Sequence, residues 1–436
     1  MSVDSTCSMH RPLAKDRQRS ELLADQDVRY IVERKLRGNN FHILDWSIRP
    51  FEETNGFLGL YYNIHVTVKL DGSGTKNLSF FAKTPPPAES PQNEFLQRYD
   101  TFNKEIIVYT DVLCKLGVGK GPKWLVECYL CKRNAIIVLE DAKLEGYVTH
   151  DKYVPFDESH CAWTMRALSS FHSRCLILDE KLRRTAGRTI FDLYGHLLDE
   201  VLFATDETSR NALAASVEGV YTCIDLVESL SDMEKDIVKK RVRVWASVLT
   251  KLLQPSNKYR NVICHRDIWA NNLMFRYDSN GTILGCYLID FQFIRYCPPA
   301  IDAVFCLYLN TDRATRDRHF ESLLKIYHET MKRALAEEGL DVEECLPWVT
   351  FRESCEEAIH VAIIYALMNL QIMLLTSQAT NEYFMGSPDR LEQVLYGDKR
   401  SELVRHQCET MEPYRARIAE VILEAFERLP DQPPIL

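Results

Sequence analysis

The sequence has no apolar run at its start: Met1 to Asp25 is polar and charged, unlike a secretory signal. It has no surplus of positive charge either, with 53 Lys+Arg against 62 Asp+Glu and a pI of about 5.8. A general nucleic-acid binder needs a basic face, so no nucleic-acid partner is expected. There is no internal repeat, which excludes a solenoid. With no secretory segment, the 14 Cys read as thiols in a reducing compartment, and a cytoplasmic location is expected. Cys128 and Cys131 form a C-x-x-C, but no second ligand pair stands at zinc-site spacing, so they read as strand residues beside a turn. Ala358 to Leu375 approaches bilayer length. His360, Asn369 and Gln371 interrupt it, Glu356 and Glu357 precede it, and basic anchors are missing, so a buried helix is expected, without membrane insertion.

What is present is core-forming material: 46% of residues are hydrophobic and 10% aromatic, which excludes a disordered or fibrous chain. Tyr62, Ile64, Val66, Val68 and Leu70 alternate with polar neighbours, the period of a half-buried strand. Asp71-Gly72-Ser73-Gly74 turns the chain into a second strand, Leu78 to Lys83. After Pro85 to Pro87, Phe95, Tyr99, Phe102, Ile106, Tyr109 and Leu113 form a stripe at the helical period. Strands at Trp124–Leu130 and Ala135–Leu139 follow. Beyond Gly146 helical patterns dominate, at about 157–175, 190–205, 234–253, 316–338, 353–377 and 401–428, with Asp157 placed to cap the first.

One β insertion among these helices carries the chemistry. Val262-Ile263-Cys264 reads as a buried strand, then comes His265-Arg266-Asp267-Ile268-Trp269-Ala270-Asn271-Asn272. Two strands joined through Asn280-Gly281, a strong hairpin signal, end in Asp290-Phe291-Gln292. Asn272 enters this hairpin where Asp290 leaves it. Neighbouring strands lie ~4.8 Å apart, so both side chains reach one cation. A carboxylate and an amide at the cation, with Asp267 on the approach loop, suit phosphoryl transfer: Mg²⁺ takes hard oxygens, and the second carboxylate accepts the proton of the attacking hydroxyl. His-Arg-Asp followed by Asn and a later Asp-Phe is the order found in kinase catalytic loops. Lys83 closes the second strand where an ammonium would meet nucleotide phosphates, and Glu105 on the following helix would hold it extended. Gly56 and Gly59 would bring backbone N–H groups over the phosphates. Glu140-Asp141-Ala142 forms a hinge whose backbone would bond adenine.

The runs Ile263 to Asn272, Leu288 to Tyr296 and Pro299-Ala300-Ile301-Asp302 resemble the ecdysteroid kinase-like family, within the choline kinase and aminoglycoside phosphotransferase group of small-molecule kinases. Val138-Leu139-Glu140-Asp141 with Gly146-Tyr147, and Phe102-Asn103-Lys104-Glu105 with Tyr109, fit as well, so the likeness spans about residues 30 to 425. It implies an α+β, bilobal protein kinase-like fold: a small antiparallel N-lobe with one long helix, and a larger helical C-lobe carrying the hairpin. The expected division is a polar tail at 1–28, a nucleotide-binding lobe at 29–139, a hinge at 140–146 and a catalytic, substrate-binding lobe at 147–436. The resemblance also implies ATP with Mg²⁺ and transfer to a hydroxyl of a small, apolar molecule such as an ecdysteroid, with xenobiotic detoxification as an alternative role. Carried over, Asp267 is the base, Asn272 and Asp290 are the magnesium ligands, and Lys83 with Glu105 positions phosphate. Asp302 braces the catalytic loop, His265 bonds backbone within it, and His172 is buried packing. Arg266 stands where the family usually has glycine, which would make the acceptor's approach narrower or more cationic. Ile364, Met368 and Ile372 line either an apolar pocket or ordinary core. A non-catalytic pseudokinase is the reading from another class, disfavoured by the intact Asp267, Asn272, Asp290 and Lys83. A protein kinase is disfavoured because no Ala-Pro-Glu follows Asp290. Oligomeric state has no sequence signal, and a monomer is favoured.

Overall fold

The computed structural model describes residues 22–51, 58–117, 122–385 and 387–433. The chain forms two compact units, one of Met1–Pro87 with Glu127–Leu144, the other of Ala88–Val126 with Glu145–Leu436.

The smaller unit is an antiparallel five-stranded sheet with strand order β1-β2-β3-β5-β4 and a helix, α1 (Asp25–Leu36). Its strands are β1 (Phe41–Pro50), β2 (Leu60–Leu70), β3 (Ser73–Thr84), β4 (Cys128–Lys132) and β5 (Ile136–Glu140). The expected alternation in β2 is present: Tyr62, Ile64, Val66 and Val68 are buried and meet Ala82, Phe80, Leu78 and Lys76 across the ladder. Gly72, with φ +80°, makes the intervening turn. Val28, Ile31 and Val32 of α1 close the core against this face, with Phe80 edge-on to Tyr129 at 5.3 Å. β1 has no signal in the sequence because a register shift between Ile43 and Asp45 breaks its alternation, burying Phe41 and Trp46 instead of every second residue. Cys128 and Cys131 both lie in β4, their sulfurs 3.4 Å apart.

The larger unit begins where one continuous helix is expected. It is broken: α2 (Pro91–Tyr99) ends at Asp100 in the left-handed conformation (φ +49°), and α3 (Thr101–Ile107) runs into a π-helical turn at Val108–Val112. Asp tolerates this conformation better than most residues, and a helix ends there at little cost. The break moves the buried position in α2 from Phe95 to Leu96. The longer helices that follow are α4 (Glu158–Ala186), α5 (Glu207–Asp225), α6 (Asp232–Leu252), α7 (Ala300–Asn310), α8 (Arg313–Ala336), α9 (Trp348–Met373), α10 (Lys399–Thr410) and α11 (Glu412–Arg428). Asp157 caps α4 as expected, accepting the His160 N–H at 2.9 Å. The predicted helix at 190–205 is only a short turn of helix, Ile190–Tyr194, followed by irregular chain. The predicted 401–428 helix is two, divided at Met411 just before Pro413, whose ring cannot continue a preceding helix.

Between these helices lie β6 (Tyr147–Thr149), β7 (Val262–Cys264), β8 (Leu273–Tyr277), β9 (Ile283–Leu288) and β10 (Arg295–Cys297). β8 and β9 form the predicted hairpin, with β6 at its edge, while β7 pairs with β10. Ile364 and Met368 are core residues of α9 and Ile372 is half-buried. Among the described residues no single helix is long and apolar enough to cross a membrane; α9 reaches that measure only together with Ser377–Phe384, to which it is bent by 82°. Ile64, fully buried in the sheet, tests the smaller unit's core: Ile64→Ala should lower unfolding free energy by about 2–5 kcal/mol in urea titrations.

Candidate active site

The site of the larger unit hangs from one buried carboxylate. Asp302, in the first turn of α7, is wholly buried; its Oδ2 accepts the His265 N–H at 2.6 Å and its Oδ1 the Arg266 N–H at 2.9 Å. One way successive N–H groups converge on a single anion is for the chain to turn through the left-handed region, and Arg266 has φ +72°. That conformation costs a non-glycine residue about 1–2 kcal/mol, which the two charge-assisted hydrogen bonds offset. His172, also buried, donates from Nε2 to Asp302 Oδ2 at 3.1 Å, and its Nδ1 meets the Tyr327 hydroxyl at 2.8 Å. Burial works against ionisation of Asp302, but His172, His265 and the Arg266 N–H together hold its carboxyl below the ordinary range. Asn310, at the other end of α7, donates to the Ile268 carbonyl at 2.9 Å, and Tyr365 donates to the Arg266 carbonyl at 3.3 Å. Neither contact has a local sequence signal, because each joins segments far apart in the chain.

The loop thus fixed brings three of the sequence-chosen residues to one end of the hairpin. Asn272 donates from Nδ2 to the Asp267 carbonyl at 2.9 Å and to Asp267 Oδ2 at 2.7 Å. Its amide oxygen therefore faces away from Asp267. The Ile289 N–H bonds the Asn272 carbonyl at 3.1 Å, and the Ile289 carbonyl meets His265 Nε2 at 2.9 Å. Ile289 is held from both sides, and Asp290 follows it in the left-handed conformation, φ +67°. Burial pushes the His265 imidazole below its ordinary pKa; its Nδ1 takes the Asp267 N–H at 3.3 Å. Phe291 is fully buried, with Tyr109, Phe171 and His265 at ring distances of 5.8, 5.7 and 4.8 Å. Tyr109 belongs to the π-helical turn.

Arg266 departs from the expectation of a cation at the acceptor's approach. Its side chain is 1% exposed, and its guanidinium lies beside the stacked rings of Phe305 and Tyr365, 5.1 and 5.0 Å from their centroids, which are themselves 4.2 Å apart.

In the smaller unit, Lys83 sits near the end of β3, paired with Ile137 and Tyr61 and buried at 3% exposure. Gly59 runs over its stem: a Cβ there would lie 3.3 Å from Lys83 Cε and from the Thr84 carbonyl oxygen. Gly56 lies outside the described residues. Glu140 is the last residue of β5; it gives its N–H to the Glu127 carbonyl at 2.8 Å, and its carboxylate is 3.6 Å from Lys35 Nζ. Asp141 accepts from the Ser79 hydroxyl at 2.6 Å, and Ala142 opens a short 3₁₀ turn. Glu105, which the sequence pattern groups with the sheet, is a buried residue of α3 in the larger unit.

Because Asp302 has a lowered pKa in the folded state, its stabilisation is present above the unfolded carboxyl value of about 3.9 and is lost as pH falls through the lower folded value. Asp302→Asn should cost about 3–5 kcal/mol in urea unfolding near neutral pH, with the gap to wild type narrowing on acidification below that range. An equal gap at both pH values would count against a charged Asp302.

Comparison with known proteins adds a family. Residues 53–339 match the model of the ecdysteroid kinase-like family. No curated protein matches the chain. Among solved structures, a choline/ethanolamine kinase family protein from Mesorhizobium loti is 14% identical, covering 86% of this chain and 93% of its own, with a TM-score of 0.33. The GDP complex of aminoglycoside 2'-phosphotransferase-IIIa is 13% identical over 95% of this chain and 99% of its own, TM-score 0.35. A microcompartment-associated aminopropanol kinase is 13% identical over 84% and 97%, TM-score 0.38. The assignment rests on the family match, which takes in Lys83, Asp267, Asn272 and Asp290, and not on these distant likenesses. By that match the protein belongs to the ecdysteroid kinase-like family, and it is a phosphotransferase that uses a small molecule's hydroxyl as acceptor.

Proposed function

We propose that the protein transfers the γ-phosphoryl group of ATP to a hydroxyl of a small apolar molecule, an ecdysteroid in the first instance. The observation that carries this reading is the shared end of the β8–β9 hairpin, where Asn272 is oriented by Asp267 and paired through its backbone to Ile289, the residue before Asp290. Asp267, 9% exposed and fixed by the Asn272 amide, takes the proton as the acceptor oxygen bonds to phosphorus and the bridging oxygen leaves with ADP.

The donor set fits Mg²⁺. The Asn272 amide nitrogen is used on Asp267, leaving the amide oxygen as the ligand atom, and Asp290 adds a carboxylate; both are hard oxygens, and Mg²⁺ takes only one or two from a protein. Bound there, the ion would neutralise charge on the phosphates. Lys83 would hold the α- and β-phosphates, with Gly59 and Gly56 covering them and Glu140 to Ala142 meeting the base. The close passage of Gly59 over the Lys83 stem supports grouping these two. The apolar character of the acceptor rests on the family, since Ile364 and Met368 of α9 are core residues.

Incubation with Mg-ATP and a panel of ecdysteroids, other sterols and hydroxylated xenobiotics should give a product heavier by one phosphoryl group in mass spectra. EDTA should abolish it. Asp267→Asn should lower kcat by about 10²–10⁴-fold while ATP binding is kept. A wild-type protein that binds ATP and modifies nothing in the panel would leave a binding protein in place of a kinase; a product from xenobiotics alone would shift the role to detoxification.

A further inference from the structure

The larger unit holds a cluster of buried charge beside the catalytic loop that the reaction described above does not use. Glu200 lies in the irregular chain after Gly195–Leu197, and its Oε1 accepts the N–H groups of Leu202 and Phe203 at 2.9 and 3.2 Å. Its Oε2 is bonded by Arg295 and lies 3.6 Å from the Arg266 guanidinium. All three side chains are withdrawn from water, at 5%, 3% and 1% exposure. Two guanidiniums therefore share one carboxylate. Arg266 makes no side-chain hydrogen bond among the described residues, so Glu200 and the stacked ring pair beside it are what offset its burial.

The two arginines stand at matched places. Arg266 immediately precedes Asp267 and carries the left-handed turn; Arg295 opens β10, a few residues after Asp290, and pairs with Cys264, which leads into His265. Lys104 adds to the local excess of positive charge: burial and the Arg295 charge push its ammonium down to about 8. Asp199, an exposed neighbour, also acts on Arg295 and Lys104, but Glu200 is the buried carboxylate bonded to the arginines, and removing its charge would leave Arg266 and Arg295 facing each other in a dry site.

We propose that Glu200 is a positioning residue for phosphoryl transfer, setting Asp267 through Arg266 and the segment after Asp290 through Arg295. The proposal rests on the reading of Asp267 and Asp290 given above. Glu200 touches no reacting group in this scheme; its effect passes through the two arginines.

The test is Glu200→Gln, which keeps an oxygen for the Leu202 and Phe203 N–H groups and removes the charge. With an acceptor found by the screen, kcat per folded molecule should fall about 10–100-fold while KM for ATP stays within about two-fold. Arg266→Gly supplies the turn without a side-chain cost, so the Glu200→Gln/Arg266→Gly double variant should lose clearly less than the product of the two single losses. A kcat per folded molecule within about two-fold of wild type, or single losses that simply multiply, would overturn the proposal. A second readout needs no acceptor: hydrogen exchange of peptides spanning 262–272 in the protein alone. Glu200→Gln should speed exchange there by about ten-fold and leave peptides of β2 and β3 unchanged. Unchanged exchange at 262–272 would also overturn it. Absent turnover in wild type would count against the kinase reading, while the exchange result still decides the role of Glu200.

Discussion

The hydrogen bonds from the successive N–H groups of His265 and Arg266 to the Asp302 carboxylate are the constraint on which the rest of the catalytic hairpin depends. They force the left-handed turn at Arg266, and that turn decides where Asp267 points. Because Asp302 is fully buried on a helix that is itself buried along its length, the anchor cannot exchange its partners for water. His172 and Tyr327 complete the set of partners around it, and Asn310 ties the loop to the same helix a second time. α7 thus acts as a rigid rail for a loop that has little regular structure of its own.

From this anchor the geometry passes along the hairpin by backbone bonds. Ile289 is gripped by Asn272 on one side and His265 on the other, so the residue chosen for chemistry, Asp290, is set by a neighbour that has no polar side chain. Phe291 then sinks into an aromatic cluster that includes Tyr109 of the π-helical turn. The two ends of the hairpin differ sharply in their demands. The Asn280-Gly281 turn needs only a glycine at φ +81°, whereas the opposite end needs several buried partners at once.

Much of this was legible in the residue order. The alternation of β2, the hairpin turn, the Asp157 cap and the clustering of Asp267, Asn272 and Asp290 at one hairpin end follow from short-range rules of period and turn chemistry, and the structure shows each of them. The misses have equally local causes. β1 hides behind a bulge, and the stripe from Phe95 to Leu113 looks continuous because a left-handed Asp100 and a π turn shift its phase without removing its apolar residues. The helix α7 has no polar face to give it a period, since it is buried all round. At 190–205 the pattern resembles a helix, but beyond Leu197 the N–H groups of Leu202 and Phe203 go to the Glu200 carboxylate in place of a helical ladder.

Sequence alone determined the family and the constellation proposed for catalysis, because both are written in contiguous residues whose spacing along a loop and a two-stranded ribbon leaves few arrangements. Only the tertiary structure decided what holds that constellation in place. Asp302, Asn310, Tyr365 and Glu200 act on the loop from elsewhere in the chain, and it also decided that the Arg266 side chain is buried beside the stacked rings of Phe305 and Tyr365. Such contacts depend on which side chains share a water-excluded interior, and that is a property of the packed chain, with no counterpart in the order of its residues.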